Sequence, residues 1–177
     1  INDNNDDSKI NNEIDNDFIG SKIFEYLSQQ KELINNDKLS LNKYIITKKL
    51  TKKLSDYPNK KTLPHVQVAI ALKKMGNIVN VGDYIPYIIC IQNRSGNSND
   101  TSIASRAYHI NELKKNKALK IDKKWYLEQQ ILPPIGRYCT PIEGISVGQL
   151  ANSLGLDSNK YAHMNINNNN NSNNNNA

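Results

Sequence analysis

The stretch Leu63-Pro64-His65-Val66-Gln67-Val68-Ala69-Ile70-Ala71-Leu72-Lys73-Lys74-Met75-Gly76 is followed closely by Gly82-Asp83-Tyr84-Ile85-Pro86-Tyr87-Ile88-Ile89-Cys90-Ile91. The first run reads as a helix. Proline suits a first helical turn, where its missing N–H has no partner to lose, and glycine suits the exit. Val66, Ala69 and Ile70 form an apolar stripe, and Lys73 and Lys74 make the exit basic. Gly82-Asp83 reads as a turn. Tyr84–Ile91 is a nearly continuous apolar run broken by Pro86, which predicts a strand at a sheet edge.

Upstream, Phe18, Ile19, Ile23, Tyr26, Leu27 and Ile34 recur at a spacing of three to four, predicting a helix from Phe18 to Leu33. Tyr44-Ile45-Ile46-Thr47 is aromatic and β-branched, as a short strand requires. Leu54 to Leu63, with Pro58 and Asn59, reads as a loop. Downstream, residues 92–103 are a polar loop and Ala104–Lys115 holds a short helix. Asp122 is placed to cap a stronger helix containing Trp125, Tyr126, Gln129, Ile131 and Leu132. Pro133-Pro134 should kink or end it. Ser146 opens a last helix that closes at Gly155. The fold class expected is mainly α with a small β element (α+β), and no internal repeat is evident.

The chain has 177 residues, 37% hydrophobic and 23% charged, which is polar for one compact domain. The ends account for much of this. Residues 1–17 hold six Asn and six acids, and residues 165–177 are almost all Asn. Such composition buries too little apolar surface to offset its ordering entropy, so disorder is expected over 1–17 and 162–177. The chain begins with Ile, so an excised piece of a longer protein is expected. Cys90 and Cys139 form no CxxC pair and read as buried, reduced thiols. No apolar run approaches a membrane span.

The net charge of +6 divides unevenly. Residues 1–17 carry −5 and the tail after Tyr161 carries none, which leaves +11 on residues 18–161. That points to a polyanionic partner. From Lys38 to Lys61 there are eight lysines and one acid, Asp56. Lysine and threonine around Ile46–Lys53 suit phosphate oxygens as charge and hydrogen-bond partners; a solvated lysine-rich loop would have the same composition. His65 stands at a helix start, where free N–H groups favour an anion, although a lone histidine beside an apolar helix is commonly a packed residue. Three arginines occur in all, Arg94, Arg106 and Arg137. The last two are candidates for phosphate contacts or for internal ion pairs. There is no phosphate-binding glycine loop, no HExxH and no GxSxG. The acids of residues 18–161 are too scattered for two-metal phosphoryl transfer.

Five ordered blocks carry a resemblance. They are LTKKLSDYPNKKTLPHVQVAIALKKMG (50–76), VGDYIPYIIC (81–90), SRAYH (105–109), LKIDKKWYLEQQILPPIGRYCTPIEGI (119–145) and LGLDSNKY (154–161). Together they resemble the thumb of a B-family DNA polymerase, with the last two blocks similar to alpha-type members. The resemblance covers residues 18–161. It implies a palm-to-thumb helix at 18–35 and a thumb domain at 36–161 that grips primer–template duplex, an RNA–DNA hybrid or DNA, by backbone and minor groove. It implies Lys48, Lys49, Thr51, Lys52 and Lys53 along the primer backbone, with His65, Arg106 and Tyr108 as further nucleic-acid contacts. Trp125, Tyr126, Leu127 and Ile131 are implied as thumb core. The parent would be a nuclear DNA-directed DNA polymerase using Mg2+, with primase and other polymerase subunits as partners. No palm aspartate motif is present, so no catalytic residue, metal ligand or cofactor is expected in this piece, and it should be inactive alone. The rival expectation is a protein-interaction module that uses the 146–155 helix and the acidic N-terminus. Membrane association would need an amphipathic basic helix, and none is expected.

Overall fold

A computed structural model describes residues 7–92 and 102–161, with the side chains of residues 7–15 and of Gln92 outside that description. Residues 1–6, residues 93–101 with Arg94, and the Asn-rich residues 162–177 therefore lie outside the described residues. The expected α+β class holds: helices predominate around a small antiparallel sheet. The chain divides into two units, Ile1–Leu39 with Lys123–Ala177, and Ser40–Asp122.

The first unit is helical. Its α1 spans Asp7–Asn35. The helix expected from Phe18 thus begins eleven residues earlier, inside the segment expected to be disordered. A helix once nucleated extends cheaply. At its other end Lys38 N–H bonds the Leu33 carbonyl at 2.9 Å while Asp37 takes a φ of 55°. Lys123 Nζ binds the Asp37 carboxylate at 2.7 Å and the Asn35 carbonyl at 3.0 Å, so a cation sits on the negative end of the helix. Then come α4 (Lys123–Tyr126), a π-helical stretch (Leu127–Ile131), α5 (Leu132–Cys139) and α6 (Val147–Ser153). Of the kink or end expected at Pro133-Pro134, the end does not occur: the helical run continues and the two prolines occupy the first turn of α5. A π-turn directly before them relaxes the i→i−4 ladder that a proline cannot serve. Leu27 and Ile34 of α1 pack with Leu127, Leu132, Val147, Leu150 and Leu154.

The second unit is built on β2 (Tyr84–Gln92). It pairs antiparallel with β1 (Ile46–Lys49), β3 (Ala107–Tyr108) and β4 (Leu119–Ile121). The strand expected at a sheet edge is therefore the central one. Pro86 lies in the half of β2 that pairs only with β1, where a missing N–H costs least. Ile85, Tyr87, Ile88, Ile89 and Cys90 are all buried, and burial on both faces explains the nearly continuous apolar run. Helix α2 (Pro64–Lys74) packs against β2 and ends, as expected, before Gly76 at a φ of 87°. The strand expected at 44–47 is shifted, because Leu41–Tyr44 form a 3-10 turn ahead of β1. The loop expected at Leu54–Leu63 contains two 3-10 turns, Leu54–Asp56 and Lys60–Thr62. The helix expected at 104–115 divides into a 3-10 turn, β3 and α3 (Ile110–Lys115). Pairing of Tyr108 with Ile88 draws the backbone into the ladder, a tertiary contact that overrides local preference.

Candidate nucleic-acid interface

The lysine-rich segment is held from beneath by one leucine. Leu50 is 1% exposed. Its N–H donates to the Asp83 carbonyl at 2.8 Å, and its carbonyl accepts from Gly82 N–H at 2.7 Å. The Gly82 turn, with a φ of 98°, presents both groups. Lys48 and Lys49 precede this anchor on β1, and Thr51, Lys52 and Lys53 follow it; all five are exposed. Lys49 stands opposite Tyr84 in the ladder, its Nζ 5.7 Å from the ring centroid.

Tyr57 gathers the segment. It is 8% exposed. Its phenolic oxygen accepts the Thr51 N–H at 2.8 Å and the Lys52 N–H at 3.3 Å, and lies 3.3 Å from Thr51 Oγ1. The Thr51 hydroxyl holds the phenol below its ordinary pKa against the upward push of burial, with help from the two backbone N–H groups and the Lys52 charge. The Tyr57 ring meets the His65 ring edge-on at 6.1 Å. His65 is held below its ordinary pKa by burial, and then by the positive charge of Lys48. Lys48, Thr51, Lys52 and His65 thus share one neighbourhood around Tyr57. Sequence reasoning left Tyr57 inside a loop. The aromatic residue between Asp56 and Pro58 was the available sign.

Arg106 and Tyr108 have partners of their own in the second unit. Arg106 Nη1 donates to Asp122 Oδ2 at 2.5 Å, and Asp122 is 7% exposed. A buried carboxylate needs such a partner. Tyr108 packs beside Ile88, Cys90 and Leu119. The 146–155 helix places Leu150, Ala151 and Leu154 in the first unit's core, so its apolar face is already covered. Tyr126 and Leu127 are buried as expected of core residues, and Trp125 meets Tyr126 edge-on at 5.0 Å. Burial pushes the Cys90 thiol up to about 12, with further upward pushes from Asp122 and Glu112. Cys139, half-buried, is also raised by burial.

Among the described residues no three His, Cys, Asp or Glu side chains come close enough to hold a metal ion. These residues therefore do not fit the Mg2+ expected of the parent enzyme. No described helix is long and apolar enough to cross a membrane.

The profile of DNA polymerase family B matches residues 5–142. The chain is 46% identical over 147 residues to the DNA polymerase alpha catalytic subunit of Oryza sativa subsp. japonica, covering 82% of this chain and 10% of that protein. It is 37% identical over 155 residues to the DNA polymerase alpha catalytic subunit of Xenopus laevis, covering 87% of this chain and 10% of that protein. The structure is similar to that of the family B DNA polymerase from the hyperthermophilic archaeon Pyrobaculum calidifontis. There the TM-score is 0.50 and the identity 26%, over 68% of this chain and 14% of that one. The chain thus spans about a tenth of the length of the curated relatives it matches.

Proposed function

Since this chain belongs to DNA polymerase family B, we propose that it is the thumb portion of an alpha-type DNA polymerase and grips the primer–template duplex during primer extension. The observation that carries this reading is the exposed Lys48–Lys53 segment, anchored at Leu50 and gathered with His65 around Tyr57. Lysines on an edge strand also discourage strand-to-strand aggregation. Hydrogen bonding of the segment to Tyr57 supports a defined phosphate track, which protection of an edge does not require. Phosphate contacts of this kind fix position without reading sequence. The duplex is an RNA–DNA hybrid or DNA.

The parent polymerase works in the nucleus, with Mg2+ held by residues outside those described, alongside primase and the other polymerase subunits. The chain alone is inactive as a polymerase. Fluorescence anisotropy of the intact chain with an RNA–DNA hybrid, a DNA duplex and single-stranded DNA across a salt series tests the grip. Preference for duplex over single strand, weakened by Lys48→Ala and Lys52→Ala, is the expected result. A folded chain that binds no duplex, or binds it equally well after both substitutions, overturns the reading.

A further inference from the structure

The basic segment repeats one pattern: Lys48-Lys49-Leu50-Thr51, then Lys52-Lys53-Leu54-Ser55. Each places a hydroxyl just after a lysine pair, a charge pattern complementary to the acidic substrate groove of a basophilic protein kinase. The two copies differ in the folded chain. In the first, Lys48 and Lys49 are paired in the β1–β2 ladder, Leu50 is buried with both its backbone groups bonded, and Thr51 is tied to Tyr57 through N–H and hydroxyl. Presenting Thr51 to an enzyme would dismantle that anchor. In the second copy, Ser55 is exposed on the 3-10 turn Leu54–Asp56, a turn with no buried residue. The Ser55 hydroxyl donates only to its neighbour, Asp56 Oδ1, at 2.6 Å among the described contacts.

Ser55 also lies where two clefts meet. Lys52, Lys53 and Lys73 line one, of about 320 Å³. Lys60, Lys73 and Lys74 line the other, of about 420 Å³. Both include Leu54 and Ser55. Five lysines, two of them from the end of α2, therefore line the two clefts that Ser55 shares. We propose that Ser55, and not Thr51, is a phosphorylation site for a basophilic serine kinase, and that the lysines of the two clefts capture its phosphate and so withdraw Lys52 and Lys53 from the duplex. The second half rests on the nucleic-acid reading above. In the reaction the Ser55 Oγ–P bond forms as the bond from the γ-phosphorus of ATP to its bridging oxygen breaks. ADP leaves and the hydroxyl proton passes to the kinase's base. The added charge of about −2 is repelled by Asp56 and attracted by the lysines.

The test treats the intact chain with ATP and the catalytic subunit of a basophilic serine/threonine kinase, and maps the product by mass spectrometry. Label on Ser55, lost in Ser55→Ala and kept in Thr51→Val, is expected. Label on Thr51 with none on Ser55, or no label, overturns the site. In a phosphorus NMR titration, the second phosphate pKa should lie below the ordinary value of about 6 and return towards it in the Lys73→Ala/Lys74→Ala variant. An unshifted value overturns capture by the lysines. This readout needs no duplex binding, so it stands apart if the unmodified chain fails to bind duplex. Where the chain does bind, stoichiometric phosphorylation should lower the salt slope by about 2, and an unchanged slope overturns the withdrawal.

Discussion

Tyr57 shows how one phenolic oxygen can position a charged segment. It accepts two successive backbone N–H groups, those of Thr51 and Lys52. Tyr57→Phe keeps the ring and removes the acceptor, leaving both donors short of a partner. Chemical denaturation should register a loss of about 1–3 kcal/mol, and duplex affinity should fall while the circular dichroism spectrum is kept. His65 adds a pH dependence. Its pKa is lowered in the folded chain from the ordinary 6.5, by burial first and Lys48 second, so the unfolded chain binds its proton more readily. Stability from this group is intact above 6.5 and is lost as pH falls through that value towards the lower folded one. Thermal melts at pH 7.5 and 5.5 should show a smaller acid-induced drop in His65→Gln than in the parent chain. Cys90, raised to about 12, should resist alkylation at pH 8 until the chain is unfolded.

Among the elements, α6 carries its start and stop signals in its own residues. Ser146 and Gln149 form a capping box: Gln149 N–H donates to Ser146 Oγ at 3.3 Å, and Ser146 N–H donates to Gln149 Oε1 at 2.8 Å. At the exit, Leu156 N–H bonds the Ala151 carbonyl at 2.9 Å around Gly155, whose φ is 71°. Ser146→Ala should cost about 1 kcal/mol. Gly155→Ala should cost about 1 kcal/mol or more from the left-handed backbone alone; its Cβ would also stand 2.9 Å from Lys31 Cδ, and the flexible lysine would have to shift. Urea unfolding of the two variants measures both. Strand β2 behaves differently. Its apolar run announced a strand, while its three partners come from residues on both sides of it in sequence, and no local signal carried that pairing.

At the scale of the whole molecule, charge is the property that matters. The net +11 of residues 18–161 is concentrated where the anchored segment lies. If six phosphates are neutralised, log affinity against log salt should have a slope near about −5 on duplex. Each of Lys48→Ala, Lys49→Ala, Lys52→Ala and Lys53→Ala should reduce it by about 1. Leu50→Ala changes no charge and should cost about 2–5 kcal/mol by the cavity it leaves. It should weaken binding through loss of the anchor, with the slope measured on the remaining folded protein close to that of the parent.

Much was legible in the chain itself. Helix α2 was framed by Pro64 and Gly76, α6 by Ser146 and Gly155, and the basic segment by its lysines, because caps, turns and charge density are local properties. The family could be read from ordered blocks of residues for the same reason. Tertiary structure decided the remainder. It made β2 central despite Pro86, carried the helix through Pro133-Pro134 by a π-turn, and divided 104–115 between strand and helix. It paired Arg106 with buried Asp122, and it brought Lys48, Thr51, Lys52 and His65 together around Tyr57. Each of these outcomes depends on a partner beyond the immediate neighbours or on burial, and neither is encoded in the residues on either side.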